Sequence, residues 1–134
     1  MIKSTLLALV ALSLAACGGD SGSDDYQMAV QQADAKQAEA LSLAPASPCN
    51  AVQQCANLQV VSAHGNCGTP SYHPYSLVSS TADAASAAAA DERSLALRAI
   101  SLSPPPVVAC TAAIVAPPTL ACASNTCQAV APTK

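Results

Sequence analysis

The first hydrophobic pattern along the chain is an uncharged apolar run close to the N-terminus. Residues 6–14 contain only Leu, Ala, Val and Ser. A helix of this length is too short to cross the hydrocarbon core of a bilayer, which takes about 20 residues. Because Lys3 precedes the run, it is typical of the hydrophobic region of an export signal and does not predict a transmembrane helix.

The second pattern predicts one long helix in the second half of the chain. Residues 82–90 are the strongest helix-forming run, with seven alanines. Ser80 is the predicted N-cap, and Asp83 places an acidic side chain in the first turn. Apolar residues share one face as far as Leu102, where prolines at 104–106 end the helix.

The third pattern is a pair of short alternating segments that predicts a β-hairpin. Residues 119–123 and 126–130 flank Ser124 and Asn125, and Asn tolerates the left-handed backbone of a tight turn. In that register Cys122 faces Cys127. We expect each sulfur to bond to a different element, since a bridge across such a short hairpin closes little loop entropy.

The remaining strands are predicted from shorter apolar or β-branched runs, at 58–63, 75–78, 106–110 and 114–115. The last two would be edge strands, because prolines surround them. The expected fold class is therefore α+β, with a small antiparallel sheet and one long helix across it, stapled by disulfides.

Residues 17–47 lack such a pattern and predict a flexible tether. Residues 18–25 are rich in Gly, Ser and Asp, as in a linker. Residues 26–43 are rich in Gln and Ala, which are good helix formers, but have no clear apolar stripe, so we expect a transient helix there and not a docked one. The chain then divides into a signal peptide over residues 1–16, the tether over 17–47 and a folded domain over 48–134.

Composition explains why this domain needs covalent help. Hydrophobic residues make up 51% of the chain, but it has no Phe or Trp and only three Tyr. Small side chains bury little apolar area each, so a core built from them stabilises weakly. Six cysteines follow residue 17, and their even number in an exported chain predicts three disulfides: Cys49, Cys55, Cys67, Cys110, Cys122 and Cys127.

Other uses of these cysteines fit the spacing poorly. A Cys-x2-Cys pair, which zinc knuckles and thiol-exchange motifs require, is missing, as is the Cys-x2-Cys-His of haem attachment. We therefore expect no metal and no cofactor. Fifteen pairings of six cysteines remain open at this point.

The sequence Leu14-Ala15-Ala16-Cys17 resembles the lipobox of bacterial lipoprotein precursors. The resemblance implies cleavage before Cys17 and attachment of diacylglycerol and a fatty acid such as palmitate, which would anchor the protein to a membrane. Gly18, in place of an Asp, implies the outer membrane, with the domain in the periplasm or at the cell envelope surface. The alternative is an ordinary secretory signal cleaved after Ala16.

A second resemblance covers the folded domain. Cys49-x5-Cys55, the run from Gly65 to Ser76 and Cys122-x4-Cys127 are similar to small six-cysteine exported proteins of Gram-negative bacteria that have no established activity. This resemblance implies no substrate or cofactor.

Charge argues against nucleic acid as a partner. Residues 48–134 carry three acidic and three basic side chains and are formally neutral, without the basic stripe that binds phosphates.

Tyr72, His73 and Tyr75 are the candidate recognition residues for a protein partner. The alternative is a disulfide-tied turn whose tyrosines cover a poor core.

Catalytic motifs are missing, and Asp91 and Glu92 are expected on a solvated helix face. The sequence therefore favours a non-enzymatic envelope lipoprotein that acts as a protein-binding or accessory module. The alternatives are a structural or assembly lipoprotein without a defined ligand and, least favoured, a small hydrolase using His64 or His73.

Overall fold

Two long helices and four short strands make up the part of the chain that the structure, a computed structural model, describes: residues 21–104, 110 and 115–131. In chain order they are α1 (Ser21–Ser42), β1 (Cys55–Val61), β2 (Pro70–Ser76), α2 (Ala82–Leu102), β3 (Thr119–Ala123) and β4 (Thr126–Val130), with a short 3-10 helix at Val52–Gln54 before β1. The α+β class is confirmed. Instead of one sheet and one helix, however, these residues form two helices and two separate two-stranded sheets. Neither helix is long and apolar enough to cross a membrane.

Helix α2 follows the predicted span closely. It starts at Ala82, has Asp83 in its first turn and ends at Leu102. The N-cap is Thr81, so the prediction of Ser80 is wrong by one residue. The reason is that the preceding turn continues to the helix start, where the Ala82 N–H donates to the Ser79 carbonyl (3.1 Å).

Helix α1 covers residues 21–42 of the expected tether. The sequence predicts a transient helix over part of this stretch, but α1 is docked, so the prediction of a flexible segment is wrong here. Ala33 and Ala40, seven positions apart, are almost completely buried, as are Ala96 and Ala99 of α2. Residues seven apart lie on one face of a helix. Alanine side chains let two helix backbones approach closely, so a stripe of small residues suffices to dock α1 on α2.

The core consists of two clusters along this helix pair. The first contains Ala40, Leu58, Val60, Tyr75, Ala82, Ala85, Ala88 and Ala89. The second contains Ala29, Val30, Ala33, Val61, Ala63, Ala96 and Ala99. The end of α1 thus packs beside the start of α2, and the start of α1 beside the end of α2. The alanine half of α2 packs against the first sheet, as its composition favours.

The first sheet pairs β1 with β2 antiparallel, with Leu58 opposite His73. The strands begin earlier than predicted, and Leu77 and Val78 lie in the turn after β2. The connecting loop needs a glycine at Gly68, where φ is +57°. A Cβ there would lie 2.8 Å from Cδ1 of Ile100, whose flexible side chain would have to shift, so glycine is needed mainly for the positive φ.

The second sheet is the predicted hairpin. Strands β3 and β4 have the expected bounds, and Cys122 lies opposite Cys127. Ser124 and Asn125 have φ values of +50° and +62°. Two successive positive φ values are characteristic of the type I′ turn, whose twist matches that of paired strands.

Three disulfides confirm that the six cysteines form a framework: Cys49–Cys122, Cys55–Cys127 and Cys67–Cys110. Cys122 and Cys127 bond to different elements, as expected, and these two bridges tie the hairpin to the region around β1. The predicted edge strands fall largely on residues 105–109 and 111–114, which lie outside the described residues. Cys110 and Val115, which are described, are not in a strand.

Candidate functional site

A cleft of about 370 Å³ opens between α1 and the first sheet. Its polar centre is a pair formed by Asp34 of α1 and His64, which follows β1, with Oδ2 and Nε2 3.0 Å apart. The lining residues are Asp34, Gln37, Ala38, Leu41, Ser62, His64 and Ser71.

Docking of α1 brings these residues together from distant parts of the chain. Asp34 follows the buried Ala33, so it points to the edge of the helix pair. The His64 backbone N–H donates to Ser62 Oγ (3.3 Å). The next N–H, of Gly65, donates to the Tyr26 hydroxyl (3.2 Å). The Asp34–His64 pair and the Tyr26–Gly65 hydrogen bond are therefore two contacts by which α1 holds the start of the β1–β2 loop.

The chemistry available in this cleft is that of a carboxylate, an imidazole and two hydroxyls, the residue types of a hydrolytic triad. The geometry supplies only part of one. Within the described residues, no serine hydroxyl hydrogen-bonds to the His64 ring, and Ser71 Oγ lies 3.5 Å from Nε2 of His73 instead. The Asp34 and His64 side chains are 45% and 68% exposed, so water competes for every charge that a reaction would develop.

Glu92 is the buried ionisable group that sequence reasoning missed. It is 0% exposed, and both carboxylate oxygens accept from the Val61 N–H, at 3.2 and 3.1 Å. Burial raises the pKa of Glu92, and the Val61 hydrogen bond opposes that rise. The prediction of a solvated face is wrong for Glu92 and right for its neighbour Asp91, which is exposed.

A sequence signal for this burial exists in the spacing of the helix. Glu92 lies three positions after Ala89 and four before Ala96, both buried against α1 or β1. It therefore occupies the same face as the alanines, between the two core clusters. Its carboxylate satisfies a backbone donor of β1 that the β2 ladder does not use.

The three candidate recognition residues do not share a surface. Tyr75 is 6% exposed and belongs to the first core cluster, so it is a core residue and not a contact for a partner. Tyr72 and His73 are half-buried neighbours on β2, and successive residues of a strand point to opposite faces. Recognition through Tyr72 or His73 stays a prediction.

Three exposed aliphatic side chains lie on two neighbouring segments beyond the end of the first sheet. Val52, Leu77 and Val78 are 44%, 47% and 51% exposed. Their two segments are joined by a backbone hydrogen bond from Leu77 N–H to the Gln54 carbonyl (2.8 Å). We call these three side chains the apolar tip. Residues 50–54 and 77–81 around them carry no charge.

Two disulfides flank Val52 of the apolar tip in the sequence, through Cys49 and Cys55. The sulfur atoms of Cys49, Cys55 and Cys127 lie within 4.8 Å of one another, because the Cys49–Cys122 and Cys55–Cys127 bridges run side by side. Sulfurs bonded in disulfides present no thiolate for a metal ion. In this oxidation state the cluster is a structural clamp between the tip and the hairpin.

No family model, curated protein or solved structure matches the chain. The resemblances to lipoprotein precursors and to six-cysteine exported proteins therefore stay predictions. Cys17, the predicted lipidation site, lies outside the described residues.

Proposed function

We propose that the chain is a lipid-anchored protein of the bacterial cell envelope, in the outer membrane, whose disulfide-stapled domain binds another protein through the apolar tip. Two observations support the envelope part of the proposal. Disulfides persist in oxidising compartments outside the cytosol, and this small domain has three. The lipobox ending at Cys17 is the matching export and anchoring signal.

The exposure of Val52, Leu77 and Val78 carries the binding part. Three half-exposed aliphatic side chains on neighbouring segments favour a partner that covers them, since burial yields roughly 25 cal/mol per Å² of apolar area. The flanking disulfides hold the surface rigid, which lowers the ordering cost of association. Because the tip is uncharged, it fits an apolar surface of a protein and not a phosphate backbone.

A photo-crosslinking amino acid at Ser80, beside the tip, tests this proposal in intact envelopes. We expect a discrete crosslinked protein that disappears when Leu77 and Val78 are both changed to Ser. The matched control is Leu97→Ser, which removes an aliphatic side chain of similar exposure (56%) from α2 and should leave the crosslink intact.

Two results would contradict the proposal. Crosslinks that survive the double substitution would mean that the tip is not the contact. Absence of any discrete product would favour the alternative of a structural or assembly lipoprotein without a defined ligand. The anchor is tested separately: Cys17→Ser should abolish acylation and leave an unprocessed precursor, and outer-membrane fractions should contain the acylated parent protein.

The second candidate function is hydrolysis in the Asp34–His64 cleft. The observation that favours it is the 3.0 Å carboxylate–imidazole pair with Ser62 and Ser71 in the same cleft. Turnover of small ester or amide substrates would have to disappear with His64→Ala, and with one of the two Ser→Ala changes, while His73→Ala retains it. Turnover that is unchanged by His64→Ala would remove this candidate.

A further inference from the structure

The chain segment between the predicted lipid anchor and the first helix is much shorter than the tether predicted over residues 17–47. Helix α1 starts at Ser21, four positions after Cys17. Four extended residues span at most about 14 Å. If Cys17 carries the lipid, as in the function proposed above, the start of α1 is confined to the neighbourhood of the bilayer surface.

The surface at this end of the helix pair suits such a position. A cleft of about 470 Å³ opens where the start of α1 meets the end of α2, lined by Tyr26, Gln27, Leu102, Ser103 and Pro104 together with Gly22 and Ser23. None of these residues is charged. Leu102 is 37% exposed, and Gln27 in the same cleft is exposed, so both side chains are available to the interfacial region of a membrane. We call this surface the base.

Charges around the base exclude one kind of membrane contact. Among the residues that the structure describes, Asp24 in the first turn of α1 and Asp25 directly after it are exposed, and Arg98 is exposed near the end of α2. With two acidic groups against one basic group, the base has no electrostatic preference for anionic lipid. Its contact is with a zwitterionic headgroup region, and the lipid on Cys17 supplies the affinity.

We infer that the base rests on the headgroup region of the membrane that holds the Cys17 lipid, with α1 standing as a rigid post. The helix has 22 residues, which corresponds to a length of about 33 Å. The apolar tip lies beside the end of this post, since the Ser76 N–H donates to the carbonyl of Pro45 just after α1 (2.9 Å). The tip is therefore held roughly 30 Å above the lipid, at the end of the helix pair opposite the base.

Fluorescence quenching in reconstituted vesicles tests this orientation. The acylated protein is placed in phosphatidylcholine vesicles with a headgroup quencher, and a genetically encoded fluorescent amino acid is placed either at Gln27 in the base or at Ser80 near the tip. This label avoids a seventh thiol in the domain. We expect several-fold stronger quenching at Gln27 than at Ser80. Equal quenching at both positions would overturn the inference.

Two variants separate the short connection from the contact itself. Ten Gly and Ser residues inserted between Gly19 and Asp20 should bring the two labels close to equal quenching, because the post is then no longer confined. Leu102→Ser should weaken quenching at Gln27, whereas Leu97→Ser should not. An insertion without effect on the difference between the labels would contradict confinement by the short segment.

Intact mass distinguishes the failure of this inference from the failure of the function on which it rests. A product without acyl chains on Cys17 means that the anchor is wrong. An acylated product whose two labels are quenched equally means that the anchor is right and the orientation wrong.

Discussion

The free energies by which the two side-by-side disulfides stabilise the domain should not be additive. The perturbation is removal of Cys49–Cys122 and of Cys55–Cys127 by paired Cys→Ala changes, singly and together. Their sequence separations are 73 and 72 residues. The Cys67–Cys110 bridge stays intact in all of these variants and shortens the path that either bridge closes to about 30 residues. In a chain-entropy treatment, closing such a path stabilises the fold by about 3.6 kcal/mol when the other of the two bridges is absent.

The stabilisation by either bridge is smaller when the other of the two is already in place. Cys49 and Cys55 are six positions apart, and Cys122 and Cys127 five. With the other bridge intact, the path to be closed is therefore about 11 residues, and the second bridge contributes only about 2.8 kcal/mol. We expect each single removal to cost about 2.8 kcal/mol and the double removal about 6.4 kcal/mol, which is a coupling of about 0.8 kcal/mol.

The Cys67–Cys110 bridge is the matched control. It closes 43 residues directly, about 29 by way of Cys55–Cys127 and about 30 by way of Cys49–Cys122. Because Cys49–Cys122 keeps the path near 30 residues when Cys55–Cys127 is removed, the coupling predicted between Cys67–Cys110 and Cys55–Cys127 is close to zero. This pair should therefore be close to additive.

Urea unfolding followed by circular dichroism measures each variant, with intact mass to confirm that the remaining bridges have formed. If the double variant is already unfolded without denaturant, sucrose is added to all samples, because it raises the free energy of unfolding until every transition can be measured. A coupling between the two side-by-side bridges no larger than that of the control pair would refute the reasoning.

Three further predictions concern the core and the turn. Because burial raises the pKa of Glu92 above its ordinary value of 4.5, its stabilising contribution is full below that pH and is lost as pH rises through the folded-state pKa. The urea midpoint of the parent protein should therefore fall between pH 4.5 and 8, and that of Glu92→Gln should depend less on pH over the same range. Parallel pH profiles of the two proteins would contradict this. Ala96→Leu should separate α1 from α2 and destabilise the domain by about 1 to 3 kcal/mol, measured by thermal unfolding against the exposed control Ala90→Leu. Asn125→Gly should be tolerated, whereas Asn125→Val should cost about 1 to 2 kcal/mol in the same assay, because a β-branched residue resists positive φ.

The features that the sequence predicts well are local ones. The type I′ turn depends on two adjacent residues, and the register of Cys122 with Cys127 follows from the turn. Helix α2 depends on an uninterrupted alanine run and on the prolines that end it. In each case the decisive interactions lie within a few positions along the chain, so composition and spacing suffice.

The docking of α1 shows where such reasoning fails. Its buried face consists mainly of alanines, which count little in a search for large apolar side chains. Their value appears only when a second helix with alanines at matching positions, such as Ala96 and Ala99, approaches closely enough for small side chains to fill the interface. The same local sequence is thus compatible with a flexible tether and with a docked helix, and packing against α2 decides between them.

The amino-acid sequence by itself was enough to predict a disulfide-stapled α+β domain, since the number of cysteines and the local elements follow from composition and short-range spacing. The tertiary structure was needed to select one of fifteen disulfide pairings, to bury Glu92 against β1 and Tyr75 in the core, and to expose Val52, Leu77 and Val78 together. Each of these depends on segments that are tens of residues apart. Their meeting is governed by the packing of the whole domain, which no local pattern encodes.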